Sequence, residues 1–154
     1  MSYTVSGISP DLFRPFFDLP DEALAAKGIH RYVAEDDQYP CRVSLAHATI
    51  GEELLLLSYE HQAANSPYRA KGPIFVRKVA NAAAQISNQL PQPFLMRLLS
   101  VRAYDKSDCI VEADVVDGKD AEALIIKMLA KQEVAYIHVH YARRGCFAGR
   151  IDRV

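Results

Sequence analysis

The chain has 154 residues, a formal net charge of -1, half of its residues hydrophobic and 24% charged, which is one domain's worth of ordinary globular protein. A near-neutral balance without any block of like charge argues against non-specific binding to nucleic acid or to an anionic membrane, and no apolar run approaches the roughly 20 residues of a membrane span. The start, MSYTVSGISPDLF, has neither the basic segment nor the apolar core of a secretory signal, so the cytoplasm is expected, with Cys41, Cys109 and Cys146 as free thiols because they lack CxxC or zinc-finger spacing.

In chain order, LPDEALAAKG predicts a short helix: Pro20 suits its first turn, Asp21 and Glu22 favour its positive end, and Gly28 supplies a left-handed stop. His30 to Ala34 and Cys41 to Leu45 read as short strands around the turn-rich EDDQYP, and ELLLLSYE (53–60) as a buried strand. Residues 61–73, HQAANSPYRAKGP, predict an irregular loop, 74–77 a brief strand, and Val79 to Asn88 a helix ended by Pro91 and Pro93. Arg97 to Tyr104 and Cys109 to Val116 both alternate on either side of DKSD and predict a β-hairpin. Asp117 or Asp120 then caps a helix over AEALIIKMLAK, followed by a strand at Val134 to Tyr141 and an edge strand at Phe147 to Arg153. With no repeat, no linker, no regular βαβ rhythm and no Gly-rich phosphate loop, 1–154 reads as a single α+β domain: a mainly antiparallel sheet with helices packed on one face.

Period-2 alternation sorts the strand residues into faces. Val43, Leu99, Val101, Val111, Ile137 and Val139 fall on apolar sides, while Arg42, Ser100, Arg102, Glu112, Asp114, Tyr136, His138 and His140 fall on polar sides. If the strands share one sheet, Arg42, Arg102, Glu112, Asp114, His138 and His140 meet on one face. A solvated sheet face alternates in the same way, but such faces favour Thr, Lys and Glu over paired histidines.

Three chemistries fit that face. His138 and His140, two apart on a strand, project to one side roughly 6–7 Å apart and suit a divalent metal such as zinc or iron, with His61, Asp114 or Glu112 as a further ligand. Cys146, after Arg143, Arg144 and Gly145, is a candidate nucleophile with His138 or His140 as its base; the alternative is a small buried hydrophobe that opens the last strand. Arg69 and Tyr68 in SPYRAKGPIF, with Arg102 or Arg42, form a candidate clamp for a carboxylate or phosphate; alternatively Arg69 anchors its own loop through Glu112 or Asp114.

The stretches GIHRYVA, YPCRVSLAHATIGEELLLLSY, SPYRAKGPIFVR, LLSVRAYD, VEADVVDG and YIHVHYARRGCFAGRIDRV cover most of the chain, and in them it resembles a bacterial family known only as a domain of unknown function (DUF 1203). The resemblance implies a complete domain in a small bacterial cytoplasmic protein; it carries no reaction, cofactor or functional residue. The expected function is therefore a small-molecule site on the polar face. His138 and His140 would be the acid–base or metal-binding pair, Arg69 and Arg102 would orient an anionic ligand, and Glu112 or Asp114 would position an imidazole. The alternative is a non-catalytic interaction module, a homodimer, whose arginines and acids pair within the domain.

Overall fold

The alternating stretches beside DKSD close into the expected hairpin, and the larger sheet grows outward from it in a computed structural model that describes all 154 residues. The elements in chain order are β1 (Tyr3–Ser6), α1 (Arg14–Phe17), α2 (Asp21–Ala26), β2 (His30–Val33), β3 (Glu53–Gln62), β4 (Ala70–Arg77), β5 (Gln85–Ser87), α3 (Gln92–Leu95), β6 (Leu98–Tyr104), β7 (Ile110–Asp117), α4 (Ala121–Leu129), β8 (Tyr136–Tyr141) and β9 (Phe147–Arg153). Six strands form one sheet in the order β5-β1-β9-β8-β6-β7, and β2-β3-β4 form a second. Every pairing within both sheets is antiparallel, so the fold is α+β.

Two cores follow from the two faces of the large sheet. On one face, α4 presents Ala121, Ile125, Met128 and Leu129, the spacing of a helical stripe, to Leu99, Val101, Ile137, Val139 and Ile151. Each of those large aliphatic side chains is buried, a gain of about 1.5–3 kcal/mol apiece. On the other face, Phe147 of β9 joins Leu55 and Leu57 of β3 and Ile74 and Val76 of β4 in the second core. The small sheet thus covers β8 and β9, and no helix of the chain is long and apolar enough to cross a membrane.

Several local expectations change. Residues 41–45 form a turn rather than a strand, because Leu45 takes a left-handed φ of 54°; isolated bridges Pro40–His47 and Cys41–Phe75 hold it. The stretch 79–88 is not helical: Gln85–Ser87 pairs with Ser6–Thr4, and Asn88 (φ 53°) turns the chain while its Oδ1 accepts from the Tyr3 amide. Sheet pairing there outweighs an alanine-rich local preference worth tenths of a kcal/mol per residue. The 61–73 loop shrinks to 63–69, since β3 runs through Gln62 and β4 begins at Ala70. Pro73 is tolerated because β4 is an edge strand. Finally, β9 is interior, flanked by β1 and β8; β1, too short to stand out in the sequence, displaces it from the edge.

Gly118 marks the tightest backbone approach beside α3. An added Cβ would collide with the Phe94 carbonyl oxygen and lie 2.7 Å from that of Arg97. Gly118→Ala is expected to cost at least about 2–3 kcal/mol in urea unfolding. Gly28→Ala, left-handed (φ 71°) but in open space, is expected to cost only about 1 kcal/mol.

Candidate functional site

The register of β6 decides which side chains share a face. Arg102 lies opposite His138 and Ser100 opposite His140 across to β8, with Tyr104 opposite Tyr136. Directly opposed residues in an antiparallel pair project to the same side, so Ser100, Arg102, Tyr104, Tyr136, His138 and His140 form one patch. His61, near the end of β3, comes down on that patch from the small sheet. Its ring centroid lies 4.8 Å from that of His140 and 6.2 Å from that of His138, and the two β8 rings are 6.5 Å apart. Phe147 stacks on His61 at 5.4 Å, and Tyr104 and Tyr136 flank His138 at 4.9 and 5.2 Å.

His138 and His140 are buried, at 3% and 1% exposure. His140 Nδ1–H donates to the Gly145 carbonyl oxygen at 2.9 Å, which fixes the tautomer and leaves Nε2 as an acceptor facing the Arg102 guanidinium at 3.5 Å. Nδ1 of His138 and Nδ1 of His61 are buried without a hydrogen-bond partner, a cost of about 1–3 kcal/mol each. Burial, reinforced for His138 by the neighbouring His140 and Arg150, pushes its pKa down to about 3. Burial likewise takes His140 to about 3 against the opposing effect of Gly145, with Arg102 adding to the fall. Burial and then Arg102 lower His61 as well. The three rings are therefore neutral beside a fixed cation.

The acids expected on this face are not there. Glu112 lies opposite Ala103 and Asp114 opposite Val101, so both project to the α4 side, where Glu112 meets Lys131 at 2.7 Å and Asp114 is exposed. A register irregularity between Ala103 and Tyr104 and the hairpin's own pairing put Ala113 and Val115 beside Arg102 and Ser100 instead. A one-residue difference in register exchanges the faces of a whole strand. Asp114 is thus no ligand or orienting group for the histidines, and no three His, Cys, Asp or Glu side chains converge as a metal centre.

The other expected residues take separate places. Arg42 sits in the 41–45 turn, buried, donating to the carbonyl oxygens of Phe147 (2.8 Å) and Pro40 (2.6 Å) and to Cys146 Sγ (3.1 Å). Cys146 therefore meets a guanidinium, and His140 Nδ1 is engaged by Gly145 rather than by the thiol. Arg69 is exposed and pairs with Glu60 of its own hairpin at 3.3 Å, not with the Glu112 or Asp114 expected to anchor it. Tyr68 packs edge-on to Tyr104, 6.3 Å between centroids, and Ser66 ties the same loop to the Asp108 carbonyl oxygen at 2.8 Å.

Gln62 and Tyr136 complete the patch and were not singled out from the sequence. Gln62 donates to the Tyr136 hydroxyl at 2.8 Å, and that hydroxyl donates to Asp108 at 2.6 Å. Alternation marked Tyr136 as sharing a side with His138, but nothing in the sequence pointed to Gln62. Cavities of about 320 and 430 Å³ lie elsewhere, along α2 and β2 and between α3 and Lys119.

The neutral imidazoles make stability fall with acid. Each titrates near 6.5 when unfolded, and His138 and His140 near 3 when folded. Between those values the unfolded chain binds more protons. The stabilisation is complete above about pH 6.5 and is lost as pH falls towards 3, at about 1.4 kcal/mol per pH unit for each ring. Because each unfolded ring is only half protonated at pH 6.5, urea unfolding at pH 6.5 and pH 5 is expected to differ by about 3 kcal/mol for the pair, and His138→Gln by about half of that. Equal stability at both pH values would contradict the assignment.

Among known proteins, the model of one family, described as a protein of unknown function (DUF1203), matches residues 38–153. No curated protein and no solved structure matches the chain. The matched span contains β3 to β9, and with them His61, Arg102, His138, His140 and Cys146. The chain belongs to the DUF1203 family.

Proposed function

We propose that the patch of His61, His138, His140 and Arg102 binds a small organic anion. The observation that carries this reading is the state of Arg102. Its guanidinium is half-buried and reaches Ser100 Oγ at 3.1 Å and His140 Nε2 at 3.5 Å, with no carboxylate within ion-pair distance. Arg31, Arg69, Arg77 and Arg150 all pair with acids. A desolvated charge without a counter-charge is costly, and a bound carboxylate or phosphate supplies one in the bidentate geometry that a guanidinium favours.

The rings complement that role. Neutral imidazoles offer N–H donors and acceptors without adding charge, and the Nδ1 atoms of His61 and His138 are buried without a partner of their own. At pKa values of about 3, His138 and His140 are not imidazolium at neutral pH, so the patch suits recognition better than catalysis by a protonated histidine. Neutral imidazoles also suit a divalent cation, but Arg102 opposes one electrostatically.

The test is thermal shift of the full chain against small carboxylates and inorganic phosphate, beside Arg102→Leu. The expected result is an anion-dependent rise in melting temperature that Arg102→Leu weakens at least tenfold in affinity, about 1.4 kcal/mol or more. In the free protein the same variant is expected to be as stable as the parent or more so, because it removes an unpaired charge. A structural arginine would behave the opposite way, destabilising when removed and leaving anion response intact. Near-stoichiometric metal in natively purified protein, lost in His138→Ala/His140→Ala, would replace the anion reading with a metal site.

A further inference from the structure

We infer that the anion is amphiphilic, a monocarboxylate whose apolar tail lies on the outer strands of the same sheet face. The inference rests on the reading of Arg102 as the anion's partner. Two cross-strand rows run outward from the imidazoles: His138, Arg102, Ala113 and His140, Ser100, Val115. Neighbouring strands stand about 4.8 Å apart, so each row spans roughly 10 Å from β8 to β7. Along the second row exposure climbs from 1% at His140 to 56% at Val115, and Leu98, two residues from Ser100 on the same side, is 41% exposed. The small sheet covers the imidazole end and leaves the β7 end open.

The open end is chemically unlike an ordinary edge strand. Exposed edges are commonly guarded by charged side chains, above all lysine. On β7 the acids Glu112 and Asp114 project to the α4 side, the side level with Arg102 and Ser100 carries Ala113 and Val115, and the acid on that side is Asp117, opposite Leu98 at the end of the strand. A guanidinium without a carboxylate partner therefore stands between neutral imidazoles on one side and exposed Ala113, Val115 and Leu98 on the other, while Arg150, across from His138 on β9, is paired with Asp152. Charge complementarity selects an anion over a second copy of the chain, since an apolar contact with another sheet edge would leave Arg102 without a counter-charge. Ala113, Val115 and Leu98 then select an anion with an apolar tail over a small hydrophilic one.

The experiment titrates the full-length chain by calorimetry with octanoate, acetate and 1-octanol, each below its aggregation limit, using the parent, Arg102→Leu and Val115→Asp. The expected result is octanoate binding at least 30-fold tighter than acetate and no measurable octanol binding. Val115→Asp is expected to reduce octanoate to the acetate level while leaving acetate within threefold, and Arg102→Leu to abolish both. Val115 is exposed, and an unchanged urea midpoint certifies that its variant folds. Equal octanoate and acetate affinities, both lost in Arg102→Leu, would overturn the tail and leave the anion site standing. Absence of any carboxylate binding would overturn both readings. Octanol binding as tightly as octanoate, or a dimer in sedimentation that Val115→Asp dissociates, would overturn the inference in favour of a purely apolar groove or an interface between copies.

Discussion

The pairing of β6 with β8 that sets Arg102 opposite His138 is the constraint on which the chemistry of this chain depends. Antiparallel register places a permanently charged guanidinium one strand away from two imidazoles, and the small sheet lowers a third imidazole onto them. Because the pair on β8 is desolvated, its proton affinity falls until both rings are neutral at any ordinary pH. Had the register differed by one residue, Val101 or Ala103 would face the histidines and the cation would lie against α4.

The same constraint divides the molecule's work between its two faces. The α4 side is an apolar core of interlocking aliphatic side chains with its acids at the rim, where Glu112 meets Lys131. The opposite side trades packing for polar groups that lack partners: two buried Nδ1 atoms and one guanidinium without a carboxylate. A fold selected only for stability would replace these with aliphatic residues at little cost. Two buried imidazole nitrogens without partners and a half-buried guanidinium without a carboxylate are the physical argument behind the proposed anion site. Arg42 offers a contrast, since its buried guanidinium is largely satisfied by two backbone carbonyls and aligned over the Tyr141 ring at 4.9 Å.

Alternation made His138, His140 and Arg102 legible as candidates for one face, because long strands with strict period 2 show their sidedness in sequence. Glu112 and Asp114 were misplaced for a related reason: alternation separates two faces within a strand, but only the pairing register says which face joins which. Arg42 was read as part of a strand because the Cys41–Leu45 run alternates, and the left-handed Leu45 that breaks the run has no signature in an apolar side chain. Gln85–Ser87 was hidden by alanine-rich surroundings, and β1 by its length. His61 was found by its residue type, yet its contact with the β8 pair depends on how one sheet packs on another, which no local pattern encodes.

The central claim is that burial holds His138 and His140 neutral, with an Arg102 that lacks a carboxylate partner adding to the effect. It is tested most directly by following their ring nitrogens by NMR as pH is lowered from 7 to 5, in the parent and in Arg102→Leu. The account predicts that both rings stay neutral through pH 5 in the parent, with His140 protonated at Nδ1, and that Arg102→Leu raises their pKa values without restoring the solvent value of 6.5. Rings that titrate near 6.5 in the parent, indifferent to the loss of Arg102, would contradict it.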